Sequence, residues 1–488
     1  MIRAQHAALG LVTVLSACLR FYRLDAGLPI DDEFYQFFEA LRPGSLAQFL
    51  ALIRENPHHV LLDLSSTYLV AKVGSGPGWL RLPSAAAGVA AVPLLWLLTR
   101  RAGEKIALGA SLLLAVSLIH VDWSRRADFY AALTVLSIAL SWAFFRLLDD
   151  PRRWRGYSLI GAIFLLTHPY AVLFAPFHFA FAALFAVKSA RGGAAAALLK
   201  AWLWAGVCFA PWFFYSTFRL ADTAIFGNVA DHVNLTRSAF VVLTPLFLGA
   251  AAEVGPDRAW GMNLASVYSG ALLALYSISL TARIKKTSPA LFRYAHLLCA
   301  YGFVCVFGLD TLYRYYYSHH QLLWLLPFYL LAAADGALIL VGSIRRPGLA
   351  AFVSASTAAA ALAASLTICS RALSFQFAMG ERNAEICRFV LNNARPGDIF
   401  IFDSNKLMFN VLYFLDRGAF SSSGELRLLS GYLDFVPPSE GVQIRAAGLH
   451  RVELSGHRSD DESPPRNAWR FTGNLFEMKV FQPIRAKP

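Results

Sequence analysis

The sequence predicts an α-helical protein that crosses a membrane many times, supplemented by re-entrant or interfacial helices and ending in a small external α/β domain. Three observations carry this reading. First, 57% of the 488 residues are hydrophobic and only 15% are charged, with a mean hydropathy of +0.49; soluble domains carry about a quarter charged residues. Second, the apolar residues fall into separate runs near the roughly 20 residues that one crossing requires. Third, the basic residues cluster between alternate runs. The net charge is +13, from 44 Lys and Arg against 31 Asp and Glu. In a soluble chain such an excess points to nucleic acid, but short basic clusters between apolar runs are how a membrane protein records its orientation. Nucleic acid is therefore excluded as a partner and the lipid bilayer takes its place.

The apolar runs are 6–22, 80–99, 105–121, 129–148, 156–168, 170–187, 201–218, 263–281, 290–309, 321–341 and 349–369, about eleven crossings. The first follows Arg3 and passes through Leu15-Ser16-Ala17-Cys18, which imitates a lipoprotein cleavage site. It continues into Leu19-Arg20-Phe21-Tyr22-Arg23, the interfacial end of a retained helix. Arg100-Arg101 with Lys105, Arg152-Arg153 with Arg155, Lys188 with Arg191, Arg283 to Lys286, and Arg345-Arg346 all fall on one side if the N-terminus is cytoplasmic. The C-terminus is then external. Two shorter stretches, His59 to Val73 and Phe240 to Ala252, read as interfacial or re-entrant helices. Thr167-His168-Pro169-Tyr170 must be a tight external turn, because proline ends a helix at the residue before it.

From about Arg371 the composition turns polar, which divides the chain into a transmembrane part, 1–370, and an external part, 371–488. Within the latter, Glu381 to Leu391 has helical spacing and Ile399 to Phe402 reads as a buried strand. Asn405 to Leu415 suits a further helix, and Arg470 to Phe481 alternates like a strand. The six cysteines form no CxxC pair and read as small hydrophobes.

The unusual residues gather in the external segments. The loop 23–79 carries Asp31, Asp32 and Glu33, with Arg54, His58, His59 and Lys72. The next external end carries His120, Asp122, Arg125, Arg126, Asp128 and Tyr130. A third carries Arg314 and Tyr315 in a tyrosine run, followed by His319 and His320. Three adjacent carboxylates beside a bilayer are costly to desolvate, which marks the external face as the working face. ATP is absent there, and the chain has no phosphate-cradling glycine pattern. A transferase on that face needs a donor already activated in the lipid, and a polyprenyl-phosphate sugar meets the requirement. Phosphate leaves readily, so one carboxylate to deprotonate the acceptor and cations to hold the phosphate complete the chemistry.

Arg81-Leu82-Pro83-Ser84-Ala85-Ala86-Ala87-Gly88, the Asp32-Glu33 pair, Ser124-Arg125-Arg126-Ala127-Asp128-Phe129-Tyr130, and Arg314-Tyr315 followed by Leu326-Pro327 stand in a telling order. That order resembles bacterial membrane glycosyltransferases of the GT-C fold, the protein O-mannosyltransferase-like and lipid A aminoarabinose transferase-like families. The resemblance covers residues 1–345. It implies sugar transfer with inversion from a polyprenyl-phosphate donor to a lipid, glycan or protein acceptor at the periplasmic face of the bacterial inner membrane. Asp32, Glu33 and Asp128 are the catalytic candidates, with Asp32 as base. Arg125, Arg126, Arg314 and Tyr315 are the candidates for the donor phosphate, and Asp31, His58, His59, Tyr130 and His319 for further substrate contacts. No metal site is assigned, and a divalent metal stays open as a cofactor. The chain departs from the pattern at Asn56-Pro57-His58-His59, where relatives carry His- or Lys-Pro-Pro-Leu. It departs again at Arg126 and Asp128, whose charges are exchanged relative to the family. A lipid-linked-sugar flippase and a non-catalytic scaffold are the rival readings; no paired repeat of the transporter kind supports the first.

Some residues also have plain structural roles available. Asp31 or Asp32 can cap a helix from Phe34 to Leu41, Asp128 can pair with Arg125 three residues earlier, and Arg314 can be an interfacial arginine in a tyrosine belt.

Overall fold

The computed structural model describes residues 2–26, 33, 40, 45–55, 61–74, 76–185, 191–222, 258–283, 289–313, 319–393, 399–402, 426–430, 452–456, 468–470 and 482–483. Two compact units emerge: residues 1–25 with 39–375, and residues 26–38 with 376–488.

The first unit is helical. Its helices are α1 (Ile2–Phe21), α2 (Leu46–Glu55), α3 (Leu61–Ala71), α4 (Pro77–Thr99), α5 (Glu104–Ala115), α6 (Leu118–Ser124), α7 (Tyr130–Asp149), α8 (Trp154–Thr167), α9 (Phe174–Phe185), α10 (Arg191–Asp222), α11 (Arg258–Arg283), α12 (Ala290–Tyr313) and α13 (Leu326–Gly342). It also contains the start of α14 (Pro347–Asn393). Among the described residues, five helices are long and apolar enough to cross a membrane, or six if the bent pair α5–α6 counts as one span. The protein is thus a multi-pass membrane protein.

Local chemistry sets the boundaries. α1 stops where Arg23 takes a left-handed conformation, φ 48°, an arrangement common just past a helix end. α4 opens with Pro77 in its first turn, where a missing N–H costs nothing. The corner before α5 is Gly103, φ +134°, backbone that residues with a Cβ rarely adopt. His168 is extended, φ −161° and ψ 140°, as the residue before Pro169 must be. Its Nδ1 accepts from the Tyr170 amide at 3.1 Å, which turns the chain into a short 3-10 segment, Pro169–Leu173, ahead of α9.

The sequence expectation of one unbroken span over 105–121 differs from the fold. α5 ends at Ala115, and α6 sets off at 57° to it. The cause is distant in sequence: the Arg20 guanidinium, buried at the end of α1, donates to the carbonyls of Ala115 (3.0 Å) and Leu114 (3.4 Å). A cation on the last carbonyls of a helix satisfies groups that the helix itself cannot.

The core of this unit joins α4, α5, α7, α8, α9, α12 and α13 through aliphatic and aromatic side chains. A buried polar chain runs through it. Trp202 Nε1 donates to the Tyr157 hydroxyl (3.0 Å), which meets His178 Nδ1 (2.6 Å). His178 Nε2 meets the Tyr294 hydroxyl (2.7 Å), and that hydroxyl meets Ser141 Oγ (2.7 Å). Five helices are cross-linked in this way, and each polar group in the chain has its partner, which an apolar interior demands. α2 and α3 pack on each other through Phe49, Ile53, Leu64 and Tyr68, with the Phe49 and Tyr68 rings stacked at 4.0 Å.

In the second unit, β1 (Ile399–Phe402), β2 (Leu426–Ser430), β3 (Val452–Gly456), β4 (Ala468–Arg470) and β5 (Gln482–Pro483) form one sheet in the order β3-β2-β1-β4-β5. β1 is parallel to β2 and β4, with Ile399 opposite Arg427 and Ala468. β2 is parallel to β3, and β4 and β5 are antiparallel. A continuous Ile-Phe-Ile-Phe run suits the centre of a parallel sheet. The expected stretches Phe240 to Ala252 and Asn405 to Leu415 lie outside the described residues. The helix expected over 381–391 is continuous with the last apolar run, as one helix from Pro347 to Asn393.

Candidate active site

The described part of the candidate site is built on α6, α7 and the turn between them, supported from behind by α4. Each conspicuous residue of Arg81 to Gly88 has a physical task there. Arg81 donates to the Leu24 carbonyl just past α1 (3.0 Å). Ser84 Oγ donates to the Trp123 carbonyl in α6 (3.2 Å). Gly88 leaves the space that Ser124 and the Arg20 side chain occupy: a Cβ there would fall 2.8 Å from Arg20 Nε and closer still to the Ser124 side chain. The motif therefore works as a seat for α6.

On that seat the buried polar groups are ordered. Arg20 donates to Ser16 Oγ at 2.8 Å and approaches His120 Nδ1 at 2.6 Å. A guanidinium offers only donors, so His120 accepts at Nδ1 and carries its proton on Nε2. Arg125 directs its guanidinium at the end of α1. Nη1 donates to the carbonyls of Leu19 (3.2 Å), Arg20 (3.0 Å) and Tyr22 (2.8 Å), and Nη2 to that of Arg23 (3.4 Å). Arg126 pairs with Asp122 at 2.8 Å, with both side chains buried, and its guanidinium lies over the Trp123 ring, 4.3 Å from the centroid. Stacking of this kind suits a planar guanidinium. Asp128 is buried, and its Oδ1 accepts from the Phe129 amide at 2.7 Å, at the opening of α7. The Arg126–Asp122 pair lies one turn away from this helix-end contact.

Aromatic rings close the site. Trp123 and Tyr130 meet at 4.8 Å. The His320 ring, on a 3-10 turn over His319–Leu322, lies 4.0 Å from Trp123 and 4.4 Å from Tyr130. Phe129 packs on His168 at 5.1 Å. The Tyr170 hydroxyl donates to Gln321 Oε1 at 2.8 Å, joining the 168–173 turn to the 319–322 turn. Burial holds the His168 imidazole neutral, its pKa pulled down to about 3.

Of the sequence-derived candidates, Arg125, Arg126, Asp128 and Tyr130 are brought together here. Glu33 is helical and 1% exposed in the second unit. Asp31, Asp32, His58, His59, Arg314 and Tyr315 lie outside the described residues, as does the side chain of His319. No group of three His, Cys, Asp or Glu suited to a metal ion occurs among the described residues. Asp122 has no role in the sequence reading, although an acid four residues before an arginine on a helix is the available signal; His320 stands in the external histidine pair with His319, and nothing local announces its packing on Trp123.

Residues 67–215 match the family model described as Dolichyl-phosphate-mannose-protein mannosyltransferase. No curated protein matches the chain by sequence. Among solved structures, ArnT from Cupriavidus metallidurans in the apo state aligns with TM-score 0.54 at 13% identity, covering 87% of this chain and 86% of that one. ArnT from the same organism bound to undecaprenyl phosphate aligns with TM-score 0.53 at 13% identity, covering 89% and 86%. The likeness to ArnT is one of fold. It and the family match over 67–215 point the same way as the resemblance drawn from the motifs.

Proposed function

We propose that this chain transfers a sugar from a polyprenyl-phosphate donor to an acceptor hydroxyl at the external face of the membrane, the periplasmic face of a bacterial inner membrane. The observation that carries the proposal is the family match over residues 67–215, because that segment contains both the Arg81–Gly88 seat and the Ser124–Tyr130 turn resting on it. The ArnT structure holding undecaprenyl phosphate supports a lipid phosphate as the carrier. In this reading the chain makes about eleven crossings, and the unit bearing the sheet is external.

Asp32 is the base. Its carboxylate takes the proton of the acceptor hydroxyl as that oxygen attacks the anomeric carbon. The bond from that carbon to the phosphate oxygen breaks, and the lipid phosphate leaves with the electron pair. One displacement inverts the anomeric configuration. Glu33 orients an arginine or binds the sugar. Arg126, with Arg314 and Tyr315, holds the phosphate as its charge grows. Arg125, committed to four carbonyls of the α1 end, acts as an anchor that fixes the turn, and Asp128 sets the start of α7. Asp31, His58, His59, Tyr130 and His319 remain candidates for sugar or acceptor contacts.

Mass analysis of lipid-linked sugars and envelope glycans in a deletion strain, complemented with wild-type protein or with Asp32→Asn, tests the reading. The expected result is an accumulated lipid-linked sugar and a missing modification, restored by wild type alone. Restoration by Asp32→Asn removes Asp32 from the mechanism; an unchanged lipid and glycan profile in the deletion strain removes the transferase reading.

A further inference from the structure

A second charge cluster, built on a buried carboxylate, lies where α11, α12 and α13 meet. Asp335 sits in the otherwise apolar α13 and is 1% exposed. Arg283, the last residue of α11, grips it with two bonds, Nε to Oδ2 at 2.9 Å and Nη2 to Oδ1 at 2.7 Å. Ser279 Oγ donates to the same carboxylate at 2.8 Å and lies 3.1 Å from His296 Nε2 on α12. The next residue on α13, Gly336, faces the backbone of Leu275 on α11 so closely that no Cβ would fit. A carboxylate buried in an apolar helix is costly unless it is paired and hydrogen-bonded, as Asp335 is. A fork-to-carboxylate pair with a third hydrogen bond fixes both the distance and the rotation of one helix against another.

Both helices tied here to α11 lead towards the candidate site. The connection between α12 and α13 contains Arg314 and Tyr315 in sequence, and its described end, the His319–Leu322 turn, sets His320 on Trp123 and Tyr130. Asp335 lies nine residues beyond Leu326, about 14 Å along the axis at 1.5 Å per residue.

We propose that Asp335 is a positioning residue for the donor site: held by Arg283 and Ser279, it anchors the foot of the α12–α13 pair and so sets where the other end of that pair, with His320, meets the α6–α7 turn. The inference rests on the donor reading given above. α13 is a rigid rod between the two ends, so a small rotation or slide at Asp335 is carried to His320.

The test is equilibrium binding of undecaprenyl phosphate to the full-length protein in lipid nanodiscs, with the folded fraction of each sample fixed from its thermal unfolding curve. Asp335→Asn leaves Arg283 without its counter-ion; binding is expected to weaken about tenfold, and Asp335→Glu to recover part of the loss. Ser279→Ala removes one hydrogen bond to the carboxylate without uncovering a charge. It is expected to weaken binding about threefold with a smaller fall in the unfolding midpoint than Asp335→Asn, and it decides the matter if Asp335→Asn does not fold. Wild-type affinity in folded Asp335→Asn, or in Ser279→Ala should the former not fold, overturns the inference and leaves the donor reading standing. Failure of the wild-type protein to bind undecaprenyl phosphate overturns both.

Discussion

Arg125→Met separates two tasks that one arginine beside a phosphate site can perform. The Arg125 guanidinium donates to three carbonyls at 2.8–3.2 Å and to a fourth at 3.4 Å, all at the end of α1. Methionine keeps much of the length and apolar volume of the stem but supplies no donor. Taking about 1 kcal/mol for each of the three shorter bonds, the substitution costs about 3 kcal/mol of stability. The carbonyls lie at a helix end, where they have few other partners. Thermal unfolding of the purified protein in detergent, followed by intrinsic fluorescence, should show the midpoint fall by several degrees. Undecaprenyl-phosphate binding, measured at a temperature where the variant is folded, should change by less than about threefold, because the lost bonds are to the backbone. The same measurement on Arg126→Met should show the larger loss of binding. An Arg125→Met protein that melts with wild-type yet loses donor binding tenfold would refute the anchoring role and return Arg125 to the phosphate.

Three further outcomes follow from the fold. Gly88→Val forces a branched side chain against Ser124 and Arg20, both held by their own hydrogen bonds; overpacking of this kind costs about 1–3 kcal/mol, read as a lower unfolding midpoint, and an unchanged midpoint would show that the seat yields. His168 is neutral when folded, with a pKa of about 3, whereas the unfolded chain takes up a proton near the ordinary value of 6.5. Its contribution is therefore complete above pH 6.5 and is lost as pH falls towards 3; between pH 6.5 and 5 the loss is about 2 kcal/mol at about 1.4 kcal/mol per unit, and His168→Gln should flatten that part of the stability–pH curve. A phosphatase reporter that is active only outside the cytoplasm, fused after Pro488, should be active, and inactivity would reverse the proposed orientation.

The helical class was legible because apolar runs and basic loops are long-wavelength signals, and both survive in any local context. The break between α5 and α6 was not legible. It is imposed by Arg20, some 95 residues earlier, and no feature of the run 105–121 requires it. α2 carries a helical signal, Phe49 and Ile53 four apart on one face, but the segment is too short and too polar at its C-terminal end to stand out from a loop. The polar residues after 371 suggested a boundary, yet they include good helix formers and no proline before Asn393, so the helix continues. At the candidate site, the motif order marks a stretch of chain, but the division of labour among Arg20, Arg81, Arg125 and Arg126 depends on which carbonyls or carboxylates each one reaches. Sequence spacing hints at the Arg126–Asp122 contact alone. Asp335 drew no notice because a single acid in an apolar run has no local partner, and its partner arrives from another helix.

The chain from Trp202 through Tyr157, His178 and Tyr294 to Ser141 has a consequence for how the protein is made. Its members enter the bilayer in the order 141, 157, 178, 202, 294 as the ribosome delivers them. Until α12 arrives, one imidazole nitrogen and one serine hydroxyl must wait in a hydrocarbon environment without their last partner. The chain of hydrogen bonds therefore stays open at its Tyr294 link while residues 203–293 are made. The polar chain is thus complete only once α12, the last of its five helices, has packed.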